Sequence, residues 1–188
     1  MEVIPFTHLR GWLNAAEADA LLAKLEARSD WTQGRIRMFG RDIPEPRLTF
    51  FEGDAGVRYT YAHRSLEGKG WTPELEALRD RLARDFGITT NTVLANMYRD
   101  GQDSMGWHRD DEPELGPDPL VVSLSLGATR DFAVRRDADR STQRFALGHG
   151  DLLIMGSKSQ TQWTHSIPKR LKINILRINL TFRQVIGR

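Results

Sequence analysis

The sequence predicts an α+β fold, mainly β with flanking helices, whose strands form an antiparallel sandwich or jelly-roll barrel. Beyond Gly87, short apolar or alternating runs broken by Gly, Pro and Asp follow one another: TVLANMYR, LVVSLSLG, DFAVRR, RFALGHG, DLLIMG and ILRINLTFR. Runs of this length and pattern are strands. No helical periodicity separates them, and strands joined by turns alone pair antiparallel. The chain has 188 residues, a length at which one core buries most of the apolar surface.

Two helices precede these strands. Asn14 followed by Glu17 matches a capping box, and Ala18, Leu21, Leu22 and Leu25 recur at helical spacing, which predicts a helix from about Ala15 to Arg28. Thr72 as N-cap and Pro73 at N1 start the second helix. Leu75, Leu78, Leu82 and Phe86 carry its apolar stripe, and Gly87 stops it. Both are expected to cover one face of a sheet. Between them, the Arg35 to Tyr61 region holds shorter β-like pieces such as RIRMF and VRYTYAH, placed above one mouth of the barrel. The expectation is one domain over residues 1–188, with helices and a lid in about 1–90 and the jelly-roll core in about 91–188.

Composition narrows the chemistry. There is no cysteine, which removes disulfides, thiolate zinc sites and cysteine nucleophiles and leaves His and carboxylates to hold any metal. The first residues lack the basic start and long apolar run of a signal peptide, and no stretch approaches the ~18 apolar residues of a membrane span, so a cytoplasmic location is expected. Net charge is +2 with a pI near 9.1, compatible with a polyanionic partner. Arginines gather at 35, 37, 41 and 47 and again at 135, 136, 140 and 144. Such clusters are either solvated loop charge or a nucleic-acid footprint.

His108 and Asp110 stand two residues apart, so in an extended backbone they project from the same face. His165, in another polar turn or strand end, can supply a third ligand. Two His and one carboxylate form the facial triad of non-haem Fe(II) oxygenases, which leaves positions open for dioxygen and a co-substrate. An isolated His-x-Asp is common by chance, and His8, His63 and His149 have no comparable context.

In the last strand Arg177, Asn179, Thr181 and Arg183 alternate with Ile178, Leu180 and Phe182. The polar face either meets solvent or points into a barrel that holds an anionic small molecule. Two arginines on one face suit a dicarboxylate, because a guanidinium binds carboxylate in a bidentate plane. A metal triad beside such a face suits a 2-oxo dicarboxylic acid.

Together the motifs resemble those of the AlkB-like Fe(II)/2-oxoglutarate dioxygenases, which repair alkylated nucleic-acid bases. The likeness rests on Asn96-Met97-Tyr98 with Gly101, Trp107-His108-Arg109-Asp110-Asp111-Glu112, Ser123-Leu124-Ser125-Leu126-Gly127, His149-Gly150-Asp151-Leu152-Leu153, His165 and Arg177 to Arg183. It covers about Phe39 to the C-terminus. The resemblance implies a double-stranded β-helix core with His108, Asp110 and His165 as iron ligands. It implies that Arg177 pairs with the distal carboxylate of 2-oxoglutarate, with Asn96, Tyr98, Asn179, Thr181 and Arg183 around it. The cofactor set is then Fe(II), 2-oxoglutarate as co-substrate and O2.

The branch acting on DNA is the most similar. Met38-Phe39-Gly40 resembles its hydrophobic finger, with Phe39 either the wedge that fills the gap of an extruded base or a core residue. Arg47 matches its recognition loop, Tyr59 and Tyr61 match aromatic positions beside the flipped base, and Asp111 and Glu112 match acidic positions near that base. The last two equally suit a solvated turn. The implied function is oxidative demethylation of 1-methyladenine and 3-methylcytosine in DNA, coupling 2-oxoglutarate decarboxylation to methyl hydroxylation and formaldehyde release. The alternative is a hydroxylase of RNA, protein or a small molecule on the same core. Alkylated DNA or RNA is the expected partner, with no membrane and a monomeric chain. One departure stands out: only the short Asp137 to Gln143 loop lies where the animal duplex enzymes carry a longer basic insertion.

Overall fold

The computed structural model describes residues 4–38, 40–61 and 64–186. Its N-terminal half holds β1 (Phe6–Leu9), α1 (Ala15–Glu26), β2 (Arg35–Met38), β3 (Arg41–Pro44), β4 (Leu48–Gly53), β5 (Arg58–Tyr61), β6 (Arg64–Glu67) and α2 (Pro73–Phe86). There follow β7 (Thr92–Tyr98), β8 (Met105–His108), β9 (Val121–Gly127), β10 (Arg130–Arg136), β11 (Thr142–Leu147), β12 (Leu152–Met155), β13 (Trp163–Ile167) and β14 (Arg177–Arg183). A six-stranded sheet in the order β1-β12-β9-β14-β7-β4 faces a four-stranded sheet in the order β11-β10-β13-β8. The hairpins β2-β3 and β5-β6 form two further small sheets. Every pairing between these strands is antiparallel.

The period-2 alternation of the large sheet sorts its side chains. Val93, Ala95 and Met97 of β7, Val122, Leu124 and Leu126 of β9, and Ile178, Leu180 and Phe182 of β14 join one core with Leu21 and Leu25 of α1 and Leu75, Leu78 and Leu82 of α2. Both helices thus cover the outer face of this sheet, as their apolar stripes predict. The inner face looks toward the small sheet, and its apolar members Tyr98, Val121, Leu153 and Met155 pack with Phe132, Val134 and Ile167.

Asn14 closes a full capping box with Glu17, and Gly87 ends α2 in the left-handed region at φ 67. Thr72 stands at the N-cap of α2 with Pro73 following, as expected, although its Oγ1 donates to Glu52 Oε2 at 3.1 Å and not to the helix backbone. Two local expectations need correction. The first helix ends at Glu26, not Arg28, because Arg28 turns away to pair with Asp30 and Glu52 and to stack over the Phe50 ring at 4.0 Å. And β4, from the region assigned wholly to the lid, is a strand of the large sheet beside β7. Its adjacent Phe50 and Phe51 break any alternation signal, since one faces the helices and the other the aromatic residues under the lid.

The N-terminal segment is strapped to the turn before β12. Asp151 accepts from Gly11 N at 2.9 Å and Gly148 N at 2.8 Å, and its Oδ2 lies 2.9 Å from His8 Nε2. Burial opposes the charge on Asp151, but these donors outweigh it and hold the carboxyl below its usual value of 3.8. A carboxyl depressed in the folded state adds stability above its unfolded pKa and loses it as pH falls through the folded one. Asp151→Asn should therefore cost about 1.5–3 kcal/mol at neutral pH, and the gap to wild type should close below the usual 3.8. Urea denaturation across pH measures both; a gap that does not change with pH would refute the assignment.

Candidate metal and co-substrate site

His165 sits directly opposite His108 across the β13–β8 pair, with a register shift between His165 and Ile167. Opposed residues in an antiparallel pair bring their Cβ atoms to roughly 4.5–5.5 Å, so the sheet itself sets the two imidazoles together. Their ring centroids are 4.2 Å apart at 66°. Asp110 follows two residues after His108 and is buried. The ligand atoms of His108, Asp110 and His165 all lie within 4.8 Å of one another. One small cation can reach all three.

The protonation states suit that task. His108 Nδ1 lies 2.9 Å from the Gly106 carbonyl; a carbonyl only accepts, so Nδ1 carries the proton and Nε2 keeps its lone pair. Burial pushes the His165 imidazole down to about 3, with His108 adding to the effect, and burial likewise lowers His108. Burial disfavours charge on Asp110, but the Arg183 guanidinium and the adjacent imidazoles outweigh it and hold the carboxyl at about 2. At neutral pH the site presents two neutral imidazoles and one carboxylate. This donor set suits a divalent first-row metal with positions left over.

The polar face of β14 points inward. Arg177 pairs with Tyr98 and Asn179 with Asn96 in the β14–β7 register, which places all four on the chamber side of the sheet. Asn179 Nδ2 donates to Ser123 Oγ at 2.6 Å, and Thr181 Oγ1 donates to Asn179 Oδ1 at 2.9 Å. Arg183 Nη2 donates to Asp110 Oδ1 at 2.9 Å, so this arginine orients a metal-facing carboxylate. Arg177 is 1% exposed and has no salt bridge among the described residues. Its Nη2 donates to Ser125 Oγ at 2.8 Å, whereas Nε and Nη1 meet no acceptor. Burial draws its pKa down to about 10, leaving it cationic at neutral pH. A buried cation without a counter-charge is costly, and a carboxylate-bearing co-substrate fits the two unused donors.

Around the mouth, Tyr59 and Tyr61 are buried together at 6.2 Å, with Phe51 at 6.1 Å from Tyr59. Burial drives the Tyr61 hydroxyl up to about 12. Glu112 is half-buried beside Tyr59; burial and then Asp110 raise its carboxyl above the usual range. Asp111 is exposed, 3.9 Å from Arg109. Phe39 lies outside the described residues. Arg47, expected in a loop that meets the substrate, is only 6% exposed. It is committed to Asn96 Oδ1 at 3.0 Å, Glu45 Oε1 at 3.2 Å and the Tyr61 hydroxyl at 3.2 Å.

Two supporting residues carried no signal in the sequence. Gln160 is fully buried and its Oε1 accepts from Asp110 N at 2.9 Å, pinning the backbone of a metal-facing residue from a polar turn fifty positions later. Arg130, 1% exposed, donates to the carbonyls of Asp100, Asp103 and Pro168 and stands 5.6 Å from the Tyr98 ring centroid. Only the tertiary fold brings these partners together.

A family model described as "2OG-Fe(II) oxygenase superfamily" matches residues 5–183. The chain belongs to this superfamily, in its AlkB-like branch. Human "DNA oxidative demethylase ALKBH2" is 41% identical over 91% of this chain and 70% of its own length. Rat "Alpha-ketoglutarate-dependent dioxygenase alkB homolog 3" is 39% identical over 93% of this chain and 62% of its own. The solved structure of OsALKBH1 shares the fold at 20% identity, with a TM-score of 0.65 over 98% of this chain and 100% of that one. As an enzyme of this superfamily the chain uses Fe(II), 2-oxoglutarate and O2.

Replacing Gln160 by Leu leaves the Asp110 N–H buried and unpaired, a loss of about 1–3 kcal/mol. Part of this should appear as weaker metal binding. Titration of the apo chain with Fe(II) under anaerobic conditions should show Gln160→Leu binding several-fold more weakly; equal affinities would show that the bond does not set the ligand geometry.

Proposed function

We propose that this enzyme is an oxidative demethylase that repairs N-alkylated bases, 1-methyladenine and 3-methylcytosine, in DNA. The observation that carries the reading is one chamber holding a His108–Asp110–His165 cluster within 4.8 Å beside a buried Arg177 that has no salt bridge among the described residues. His108, Asp110 and His165 would hold Fe(II). Arg177 would pair with the distal carboxylate of 2-oxoglutarate, and Asn96, Tyr98, Asn179, Thr181 and Arg183 would form the walls around it. When bound, this cofactor set supplies the oxidising power that hydroxylates an N-methyl group while 2-oxoglutarate becomes succinate and carbon dioxide.

The chain's own residues orient and exclude. Arg183 fixes Asp110 through its charge-assisted bond, so the carboxylate keeps its second oxygen for the metal side. The enclosed aromatic wall of Phe51, Tyr59 and Tyr61 keeps water from the reacting carbon and offers flat surfaces to a base. Glu112, beside the metal cluster, can accept from an exocyclic amine and favours a cationic methylated base over a neutral one. A hydroxylated N-methyl group collapses to formaldehyde and the restored base without further help.

Nucleic acid as the substrate class is supported by the ALKBH2 and alkB homolog 3 relatives. The connection between β10 and β11 spans only residues 137–141. So short a loop gives little purchase on a second strand and favours single-stranded DNA or RNA, which bind through stacking and backbone charge. The reading includes Phe39 as the wedge at the lid and a monomeric, cytoplasmic enzyme. Among the described residues no helix is long and apolar enough to cross a membrane.

Anaerobic loading with Fe(II) and 2-oxoglutarate, then oxygen with a 3-methylcytosine oligonucleotide, should give formaldehyde, succinate and an oligonucleotide lighter by one CH2 unit in equal amounts. Succinate formed without any change in methylated DNA or RNA would move the reading to a protein or small-molecule hydroxylase. In the same assay Arg177→Met should raise KM for 2-oxoglutarate by roughly ten- to a hundredfold, the loss of a charge-assisted pair, with oligonucleotide binding unchanged. A KM that does not move would remove Arg177 from the co-substrate pocket.

A further inference from the structure

Glu45 follows β3 and is 0% exposed, yet nothing in the reaction calls for a carboxylate there. Its two oxygens are shared between two arginines: Oε1 accepts from Arg47 Nη2 at 3.2 Å and Oε2 from Arg64 Nη2, also at 3.2 Å. Arg64 opens β6, so the carboxylate ties the β5-β6 hairpin to the segment that enters β4. The enclosure is tight. A Cβ on Gly34 would lie 2.3 Å from Glu45 Oε2 and 2.7 Å from Arg64 Nη1, so only glycine leaves room for the clamp. The backbone is held as well, Glu45 N donating to Gly34 O at 2.8 Å and Gln33 Nε2 to Glu45 O at 2.8 Å.

What the clamp delivers is the position of Arg47. The Arg47 Nε, 3.0 Å from the Asn96 side chain, can only donate. The Asn96 atom that meets it must therefore be the carbonyl oxygen, which turns the amino group of the amide away from Arg47. Asn96 lines the chamber together with Tyr98, Asn179 and Thr181. With its carbonyl engaged by Arg47, it offers N–H donors to an anion; released, the amide can rotate and present its oxygen, which repels a carboxylate.

We infer that Glu45 is a positioning residue for the co-substrate: by fixing Arg47 it fixes the donor face of Asn96, and so sets affinity for 2-oxoglutarate from a place that touches neither metal nor substrate. This rests on the proposed placement of 2-oxoglutarate beside Asn96. The same clamp holds the β5-β6 hairpin, so the wall of the co-substrate chamber and the lid above it share one carboxylate.

The test is an anaerobic titration of 2-oxoglutarate into the Fe(II)-loaded full chain, followed through the visible charge-transfer absorption, with Fe(II) affinity measured separately. Glu45→Gln, which accepts with one oxygen only, and Arg47→Met should each raise the 2-oxoglutarate Kd about five- to tenfold, the range of one lost hydrogen bond. Fe(II) affinity should stay within about twofold. The double variant should be no weaker than Arg47→Met alone, because both act on one contact. Glu45→Asp keeps the charge but falls short of both guanidiniums; it should weaken binding as well and stands in if Glu45→Gln does not fold. An unchanged Kd in either Glu45 variant, effects that multiply in the double variant, or an equal loss of Fe(II) affinity would overturn the inference. A wild-type chain that binds no 2-oxoglutarate refutes the proposed function itself, a different result from a variant that matches wild type.

Discussion

All seven residues of β14 are buried, yet every second one is polar, and the architecture follows from the need to satisfy both faces at once. On one side Ile178, Leu180 and Phe182 require apolar cover, which α1 and α2 supply through their leucines. On the other side Arg177, Asn179, Thr181 and Arg183 require hydrogen-bonding partners, because burying such groups unpaired costs several kcal/mol each. Ser123 and Ser125 of β9 and Asp110 meet part of that demand. What they leave unmet, at Arg177, is where an anion belongs.

Arg183 and Arg177 look equivalent in the alternation but do opposite work. Arg183 is neutralised from within by Asp110, and the Asp110 and Glu112 charges raise its pKa despite burial. Arg177 has Tyr98 and Arg130 for neighbours and no carboxylate partner among the described residues, and burial lowers its pKa. One arginine thus serves the His108–Asp110–His165 cluster, while the other keeps two donors without a partner at the opposite end of the strand. The Ser125 hydrogen bond and the Tyr98 ring, 5.4 Å from its guanidinium, keep Arg177 aimed into the chamber.

Much of this was legible in the sequence because it rests on local rules. The capping box at Asn14, the Gly87 stop and the β14 alternation each involve neighbours in the chain, and so does the two-residue step from His108 to Asp110. The meeting of His108 with His165 was readable only as a pattern; the geometry is set by a strand pairing that β8 and β13, short and mixed in polarity, do not announce. Long-range partners carried no local signal at all. Gln160 reaches back to the Asp110 amide, Arg47 bonds the Asn96 side chain, and β4 joins the large sheet with two adjacent phenylalanines facing opposite ways. Each is decided by what packs across the barrel, which no periodicity in one segment encodes.

The location of β8 has a consequence of its own. It is the last strand of the small sheet, held by β13 alone among the described strands. An ion held by His108 and His165 would therefore act as a rivet along this margin, joining the outermost strand to its neighbour. Free-energy linkage makes this reciprocal: whatever frays that margin loosens the ion, and whatever binds the ion seals the barrel wall.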